Sequence, residues 1–209
     1  MITESRRAQR RAAGLRKGER REQAILDAAE ELLAAIPFAE LTMDDIAQQA
    51  GLSRPALYFY FASKEHVLTG LHQRIYDEMV TTMDPLGNQA SPIAETMGEA
   101  IERVCANWRA HRHALRTFHE TAMVSSTFEQ VWRQRLERHV TALTTIIERE
   151  RAAGRAAPSP PAAQAIASSW FWMLENQFYT LFRRDHPRRE ERELIDTLNI
   201  LWQRMIGAT

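Results

Sequence analysis

The sequence has very little cysteine and no long apolar run. Cys105 is the single cysteine among 209 residues, which excludes an intramolecular disulfide framework and leaves too few thiolates for a structural zinc site. No apolar stretch approaches the roughly 20 residues that a membrane-spanning helix needs. With 44% hydrophobic residues, the chain can instead bury a core. We expect Cys105 to be a small buried hydrophobe in that core rather than a redox sensor.

The chain also lacks net charge and an apolar leader. Its formal net charge is zero, which argues against a protein that coats nucleic acid. Basic residues are nevertheless concentrated at the N-terminus, at Arg6, Arg7, Arg10, Arg11, Arg16, Lys17, Arg20 and Arg21. We interpret residues 1–21 as a basic flexible arm, disordered away from DNA or settled on phosphates or in the minor groove. Because no apolar segment follows the first basic residues, we expect no secretory signal and a cytoplasmic protein.

No alternating strand pattern occurs, and apolar residues recur at helical spacing. The spacing predicts a first helix over about 18–36, where Pro37 stops the run. Thr42 followed by Asp45 resembles a capping box, which predicts the start of a short second helix that ends at Gly51. These features predict an all-α fold.

The stretch 51–68 has the chemistry of a helix-to-helix corner followed by a short exposed helix. Gly51 can adopt the positive φ that ends a helix, and the Ser53 hydroxyl can cap the next one. Pro55 is tolerated in the first turn, where its missing N–H would have no helical partner. The first turn of this helix is left outside, where a major groove could receive it.

These residues resemble one family. The run from residue 24 to 68 is similar to the DNA-binding domain of the TetR family of one-component transcriptional repressors, through Leu41-Thr42-Met43-Asp44-Asp45-Ile46-Ala47, Ala50-Gly51-Leu52-Ser53, Leu57-Tyr58-Phe59-Tyr60-Phe61 and Lys64-Glu65. A weaker similarity to one member continues through Trp132, Glu175 and the segment 196–202. The resemblance implies a double-stranded operator as partner. We expect the DNA contacts from Thr42, Ser53, Arg54, Pro55, Ala56, Tyr58, Tyr60 and Lys64, with Arg54 nearest base edges and Tyr58, Tyr60 and Lys64 at phosphates.

The second part of the chain is expected to bind a ligand and to dimerise. We place a three-helix helix-turn-helix domain at 22–68 and a larger helical ligand-binding and dimerisation domain at 69–209. In the last two predicted helices, 162–184 and 188–206, apolar residues cover more than one face. A homodimer built on these helices would cover the extra face, and the family resemblance implies the same contact.

All five tryptophans lie in this second part. Aromatic residues at helical spacing form either a core or the lining of a cavity. The family resemblance implies an inducer pocket for a small hydrophobic effector, lined by Met97, Trp132, Leu136, His139, Leu143, Phe171, Leu174, Glu175, Phe178, Tyr179 and Trp202. Glu175 is a carboxylate among aromatics, so it is either a hydrogen-bonding node of the fold or the polar handle of the pocket.

No enzyme motif accompanies these features. The sequence has no nucleophile elbow, metal-binding helix, phosphate loop or dinucleotide fingerprint, and its histidines lack metal-ligand spacing. We expect no catalytic residue, metal or cofactor, and we interpret the chain as a ligand-responsive DNA-binding regulator, a repressor released by a hydrophobic inducer. An all-α enzyme or a carrier for a hydrophobic small molecule is the alternative, and activation in place of repression stays open.

Overall fold

The computed structural model describes residues 2–87, 92–122, 126–158 and 161–207. These residues fold into helices, with no strand among them, which confirms the predicted all-α class. The helices are Ile2–Leu33 (α1), Met43–Gln49 (α2), Arg54–Tyr60 (α3), Lys64–Gly87 (α4), Ile93–Ala110 (α5), Arg112–Ala122 (α6), Ser126–Ala152 (α7), Ala163–Phe182 (α8) and Arg188–Ile206 (α9).

The chain divides into two compact units, Met1–Gln73 and Arg74–Thr209. Helix α4 begins in the first unit and ends in the second, so the division falls inside a helix and not at a linker. The boundary expected from the sequence, after Leu68, lies in the same helix.

The first unit packs α1, α2, α3 and the start of α4 around one apolar core. Its buried apolar side chains are Ile25, Leu26, Ala28, Ala29, Leu33, Leu41, Met43, Ile46, Ala47, Leu57, Phe61, Val67, Leu68 and Leu71. Helix α4 passes so close to the Phe61 ring that a Cβ added at Gly70 would lie 2.9 Å from Phe61 Cε1. A larger residue at Gly70 would therefore have to push this ring out of the core.

Helix α1 starts earlier and ends earlier than the sequence predicts. It begins at Ile2 rather than near Gly18, so most of the stretch interpreted as a flexible arm has helical backbone. Alanine, arginine, glutamine and glutamate dominate this stretch, and their high helix propensity favours extending α1 beyond its packed part. At the other end α1 stops at Leu33, before the turn that contains Pro37. Contact of the basic stretch with DNA stays a prediction.

In the second unit, α7 packs along α8 and α5 packs along α9. A buried carboxylate on α7, Glu150, accepts hydrogen bonds from the Arg155 guanidinium at 2.8 and 3.0 Å and from the Ile93 N–H at 3.4 Å. Hydrogen bonds from Arg155 lower the pKa of Glu150. Near the start of α9, buried Glu191 pairs with Arg109 of α5. These two carboxylates tie α5 to α7 and to α9.

Cys105 lies on α5 inside this core and has no exposed surface. Burial, together with the nearby Glu191 carboxylate, raises the pKa of the Cys105 thiol to about 11. The thiol is therefore neutral at physiological pH, as expected of a buried structural cysteine.

Candidate functional site

The corner between α2 and α3 has the predicted geometry with one exception. In the predicted capping box, Thr42 N–H donates to Asp45 Oδ2 at 2.9 Å, and Asp45 N–H donates to Thr42 Oγ1 at 3.2 Å. Gly51 has a φ of 65°, the left-handed conformation that ends a helix. Ser53 is the N-cap residue of α3 and Pro55 lies in the first turn, but the Ser53 hydroxyl makes no capping hydrogen bond. The predicted side-chain cap at Ser53 is therefore wrong, and this exposed hydroxyl is left accessible.

The first turn of α3 is open to solvent, as predicted. Arg54 and Pro55 are both exposed. The Arg54 guanidinium lies 3.1 Å from the Asp44 carboxylate and 5.6 Å from the centre of the Tyr58 ring. Because this ion pair is solvated on both sides, it is weak and can be exchanged for a contact with DNA.

Phe59 is the most exposed large apolar side chain among the described residues, at 82%, compared with 42% for Tyr58. Phe59 is not among the DNA contacts expected from the sequence. Residues two positions apart on a helix point about 200° away from each other, so the spacing from buried Leu57 marks Phe59 as outward-facing. Ala56 and Tyr60 are only half-buried. We define the α3 face as Arg54, Pro55, Tyr58 and Phe59.

Lys64 has a structural role that the sequence did not predict. Its ammonium donates to the carbonyl oxygens of Phe38 at 2.8 Å, Ala39 at 3.1 Å and Leu41 at 2.9 Å. The same Nζ lies 4.9 Å from the centre of the Phe38 ring. All three ammonium protons thus have an acceptor, and the expected contact with a DNA phosphate would have to share or replace one of these bonds.

The second unit contains a cavity of about 220 Å³ with an almost entirely apolar wall. Helices α4, α5, α7 and α8 contribute its lining, which consists of Met79, Ile93, Thr96, Met97, Ala100, Ile101, Val104, His139, Ala142, Leu143, Ile146, Ala167, Trp170, Phe171, Leu174 and Glu175. Residues expected at an inducer pocket that do line this cavity are Met97, His139, Leu143, Phe171, Leu174 and Glu175.

Other residues expected at the pocket do not line the cavity, namely Trp132, Leu136, Phe178, Tyr179 and Trp202. Phe178 and Trp202 have no exposed surface, and Trp202 packs against Trp170 with 5.0 Å between ring centres. Trp132 contacts Phe171, with 5.9 Å between ring centres, but is itself absent from the wall. Apolar spacing identified these positions as inward-facing without resolving core from cavity. Of the lining residues on α4 and α5, only Met97 was among those expected from the sequence.

Three polar side chains reach the cavity wall, those of Thr96, His139 and Glu175. Glu175 Oε1 accepts a hydrogen bond from Arg135 Nη2 at 2.9 Å, and both side chains are buried. Burial raises the pKa of Glu175, and the Arg135 charge opposes that rise. His139 Nδ1 lies 3.1 Å from the Arg135 carbonyl oxygen. Burial and, secondarily, the Arg135 charge lower the pKa of His139 to about 4, so its ring is neutral at physiological pH.

Among the described residues of the second unit, the large exposed apolar side chains lie on α8 and α9. These are Trp172 on α8, exposed by 40%, and Ile200 and Leu201 on α9, exposed by 52% and 38%. Leu198, in contrast, is buried within the unit. The extra apolar face that the sequence predicts is therefore narrower than expected and centres on these three side chains.

Among the described helices, none is long and apolar enough to cross a bilayer. The same parts of the chain hold no group of three His, Cys, Asp or Glu side chains that could bind a metal ion. Two of the histidines are instead packed against tyrosines. The ring centres of His119 and Tyr179 are 4.1 Å apart, and those of His139 and Tyr76 are 5.0 Å apart.

An exposed helix behind a glycine corner, in a chain that also carries a helical unit with an apolar cavity, defines a helix-turn-helix regulator. Residues 25–71 match the family described as bacterial regulatory proteins, tetR family. Residues 97–207 match the C-terminal domain of the transcriptional regulator EthR. The chain belongs to the TetR family, and it is a DNA-binding transcriptional regulator with an EthR-type C-terminal domain.

The relatives agree with this assignment over most of the chain. The HTH-type transcriptional regulator EthR of Mycobacterium tuberculosis H37Rv is 32% identical over 187 residues, covering 88% of this chain and 86% of that protein. EthR of Mycolicibacterium smegmatis is 30% identical over 193 residues, covering 92% and 88%. The fold resembles that of the fatty acid degradation regulator FadR from Bacillus halodurans, with a TM-score of 0.74, 18% identity and coverage of 90% and 95%. These relatives are named as regulators and not as enzymes.

Proposed function

We propose that the protein is a ligand-responsive repressor that leaves its operator when a small hydrophobic effector occupies the cavity. The observation that carries this proposal is the apolar cavity of about 220 Å³ in the EthR-type domain. The wall of an empty cavity lacks contacts on one side, and an apolar ligand restores them. Such a ligand would also gain about 25 cal/mol for each Å² of apolar surface removed from water.

An apolar effector agrees with the composition of the wall. Most of the lining side chains are aliphatic or aromatic, and only Thr96, His139 and Glu175 bring polar atoms to it. FadR, a neighbour in fold, is named as a regulator of fatty acid degradation, which agrees with a hydrophobic effector.

We propose that the α3 face and the residues next to it recognise DNA. We propose that Arg54 reads a base edge while Tyr58 and Tyr60 contact phosphates, with Thr42, Ser53, Pro55 and Ala56 in supporting positions. The exposure of Arg54, Pro55 and Tyr58 supports this assignment. Because operator DNA is the target, we place the protein in the cytoplasm.

A homodimer through α8 and α9 is part of the proposal. Trp172, Ile200 and Leu201 would lose exposed apolar surface in such a contact, and a twofold axis would bring the same two helices of each copy together. Two first units would then engage half-sites about 34–36 Å apart, or a multiple of that distance.

Helix α4 is the element that we propose as the coupling device. It carries Lys64 in its first turn and Met79 on the cavity wall. A ligand that displaces Met79 would move α4, and a movement of α4 would change the placement of the DNA-binding unit. To shift the ratio of the DNA-binding state to the released state from 99:1 to 1:99, the ligand must favour the released state by roughly 5.5 kcal/mol.

A mobility-shift titration tests the proposal. The full chain is titrated against DNA from upstream of its own coding sequence and against unrelated DNA of equal length, at two salt concentrations, with and without medium-chain hydrophobic ligands. We expect specific, salt-dependent binding that the ligands weaken. If hydrophobic ligands demonstrably occupy the cavity but none of them weakens DNA binding, the protein is not a ligand-released repressor.

A further inference from the structure

Two of the three polar side chains on the cavity wall are connected through one residue, Arg135. Glu175 and His139 both contact Arg135, the first through its carboxylate and the second through the Arg135 backbone carbonyl. We call Glu175 and His139 the acceptor patch. Both residues line the cavity, whereas Arg135 does not. The Arg135 guanidinium lies 5.1 Å from the centre of the Tyr76 ring and 5.5 Å from that of Trp132.

Glu175 offers an acceptor. Its Oε1 is occupied by Arg135, and among the described residues its other oxygen, Oε2, has no hydrogen-bond partner. A buried carboxylate must be paired to remain charged, and the Arg135 guanidinium at 2.9 Å supplies that pairing. Burial raises the pKa of Glu175, but neutralising one partner of a buried ion pair is strongly unfavourable, so the Arg135 charge keeps the carboxylate ionised. The Glu175 carboxylate therefore accepts hydrogen bonds and does not donate them.

His139 offers a second acceptor. The partner of its Nδ1 is a carbonyl oxygen, which can only accept, so Nδ1 carries the proton. The ring is neutral at physiological pH because burial depresses its pKa to about 4. In a neutral imidazole with a protonated Nδ1, the remaining nitrogen, Nε2, is unprotonated and accepts. Within the described part of the chain, Nε2 has no hydrogen-bond partner.

We propose that the cavity selects neutral apolar effectors carrying an O–H or N–H donor, such as alcohols or amides, and rejects carboxylates. The donor would satisfy Glu175 Oε2 or His139 Nε2, which the apolar part of a ligand leaves unpaired. A carboxylate would instead face the Glu175 charge in a site where Arg135 is already engaged. Thr96 discriminates less, since its hydroxyl can donate or accept. This inference rests on the proposed role of the cavity as the effector site.

A ligand series on the unmutated protein tests the proposal directly. The probes are 1-octanol, heptyl methyl ether and octanoate, which have the same number of carbon atoms, and binding to the full-length protein is measured by calorimetry at pH 7. The ether keeps the size and the oxygen of the alcohol but has no donor. We expect the alcohol to bind at least about tenfold more tightly than the ether, which is about 1.4 kcal/mol, and octanoate to bind most weakly. If the ether binds as tightly as the alcohol, or if octanoate binds most tightly, the proposed role of the acceptor patch is wrong.

Variants assign the selectivity to residues. His139→Phe keeps the Arg135–Glu175 pair and is expected to shrink the preference for alcohol over ether. Glu175→Gln adds a donor at the patch. We expect this variant to show a smaller preference for alcohol over ether and to bind octanoate more tightly than wild type does. Leu143→Ala is the control, because it removes apolar contact and should weaken the binding of the alcohol and of the ether by similar factors. Unchanged selectivity in folded His139→Phe and Glu175→Gln overturns the assignment to these residues.

The outcomes separate this inference from the proposed function. If the alcohol and the ether bind with equal affinity and both release DNA, the cavity is the effector site, and only the proposed selection by the acceptor patch is wrong. If none of the three probes binds, the cavity fails as an effector site for hydrophobic ligands, and the acceptor patch fails with it.

Discussion

The ammonium of Lys64 donates to the carbonyl oxygen of Phe38 across 2.8 Å, although the two residues are 26 positions apart. With the carbonyls of Ala39 and Leu41, this bond attaches the start of α4 to the turn that connects α1 to α2. A single side chain thus satisfies three carbonyls of a segment that has little regular structure. The DNA-binding unit depends on this lysine for its shape before it makes any contact with DNA.

We expect Lys64→Met to lower the stability of the protein by about 2–3 kcal/mol, because three charge-assisted hydrogen bonds are lost at once. Urea denaturation followed by circular dichroism measures the change. Lys17→Met is the matched control, since Lys17 is the only other lysine and is exposed. Equal stability of the two variants, together with a flattened salt dependence of DNA binding only for Lys64→Met, would instead favour the phosphate contact expected from the sequence.

Phe59→Ala is expected to weaken operator binding by about 1–2 kcal/mol while leaving stability unchanged, because an exposed aromatic on the α3 face can cover a thymine methyl group. Fluorescence anisotropy on the operator and on unrelated DNA measures the loss. Replacing thymine by uracil under the helix should reproduce it, and the two changes should not add. If the two losses of binding free energy add in full, Phe59 does not contact that methyl group.

Ala142→Trp should either abolish operator binding or make it insensitive to hydrophobic ligands. Ala142 lines the cavity and is also exposed to solvent, so a larger side chain can reach the cavity without being forced into the packed core. Thr141→Trp is the control, because Thr141 is an exposed neighbour on α7 that does not line the cavity. Ligand-dependent release that is normal in Ala142→Trp would show that effectors bind elsewhere.

Ile200→Glu is expected to produce monomers that no longer bind a palindromic operator, because a charge would be buried in the proposed α8–α9 contact. Sedimentation velocity and mobility shift measure the two effects. Gln203→Glu, another exposed position on α9, should remain a dimer. A charge at Leu198 would not test the dimer alone, since Leu198 is buried within the unit and burying a charge there would destabilise the fold as well. A wild-type chain that is monomeric at micromolar concentration contradicts the dimer.

His139 should make folding stability fall as the pH is lowered. Its pKa is about 4 in the folded protein, against an ordinary value of 6.5, so between these values the unfolded chain binds the proton first and stability decreases with falling pH. The full effect is at most about 3 kcal/mol, at one pKa unit for each 1.36 kcal/mol. The measurement is the free energy of unfolding of wild type minus that of His139→Phe from pH 7.5 to 4.5. A constant difference would mean that the ring is not desolvated.

Local features of the fold were predictable because a few neighbouring residues determine them. The capping box of Thr42 and Asp45 and the positive φ of Gly51 follow from the chemistry of short segments, and both are confirmed. The exposure of Phe59 is also encoded locally, in its spacing from buried Leu57, but the DNA contacts expected from the sequence included only the hydrogen-bonding tyrosines on either side of it.

Features that depend on packing between distant segments were not predictable. The partners of Lys64 and the pairing of Arg135 with Glu175, 40 positions apart, arise only when helices meet. For the same reason, apolar spacing on α7 and α8 could not separate the cavity residue Phe171 from fully buried Phe178. Glu175 pairs with Arg135 and also lines the cavity, and its contact with a ligand stays a prediction.

Small residues on three helices decide how much room the cavity has. Ala100 on α5, Ala142 on α7 and Ala167 on α8 all lie on its wall. One base change in an alanine codon yields valine, and each such change would trim the accommodated ligand by roughly two methyl groups while the surrounding helices stay in place. Related genes that share this scaffold could therefore diverge in the compounds they detect through single mutations, without altering either the DNA-binding unit or the helices that carry the wall.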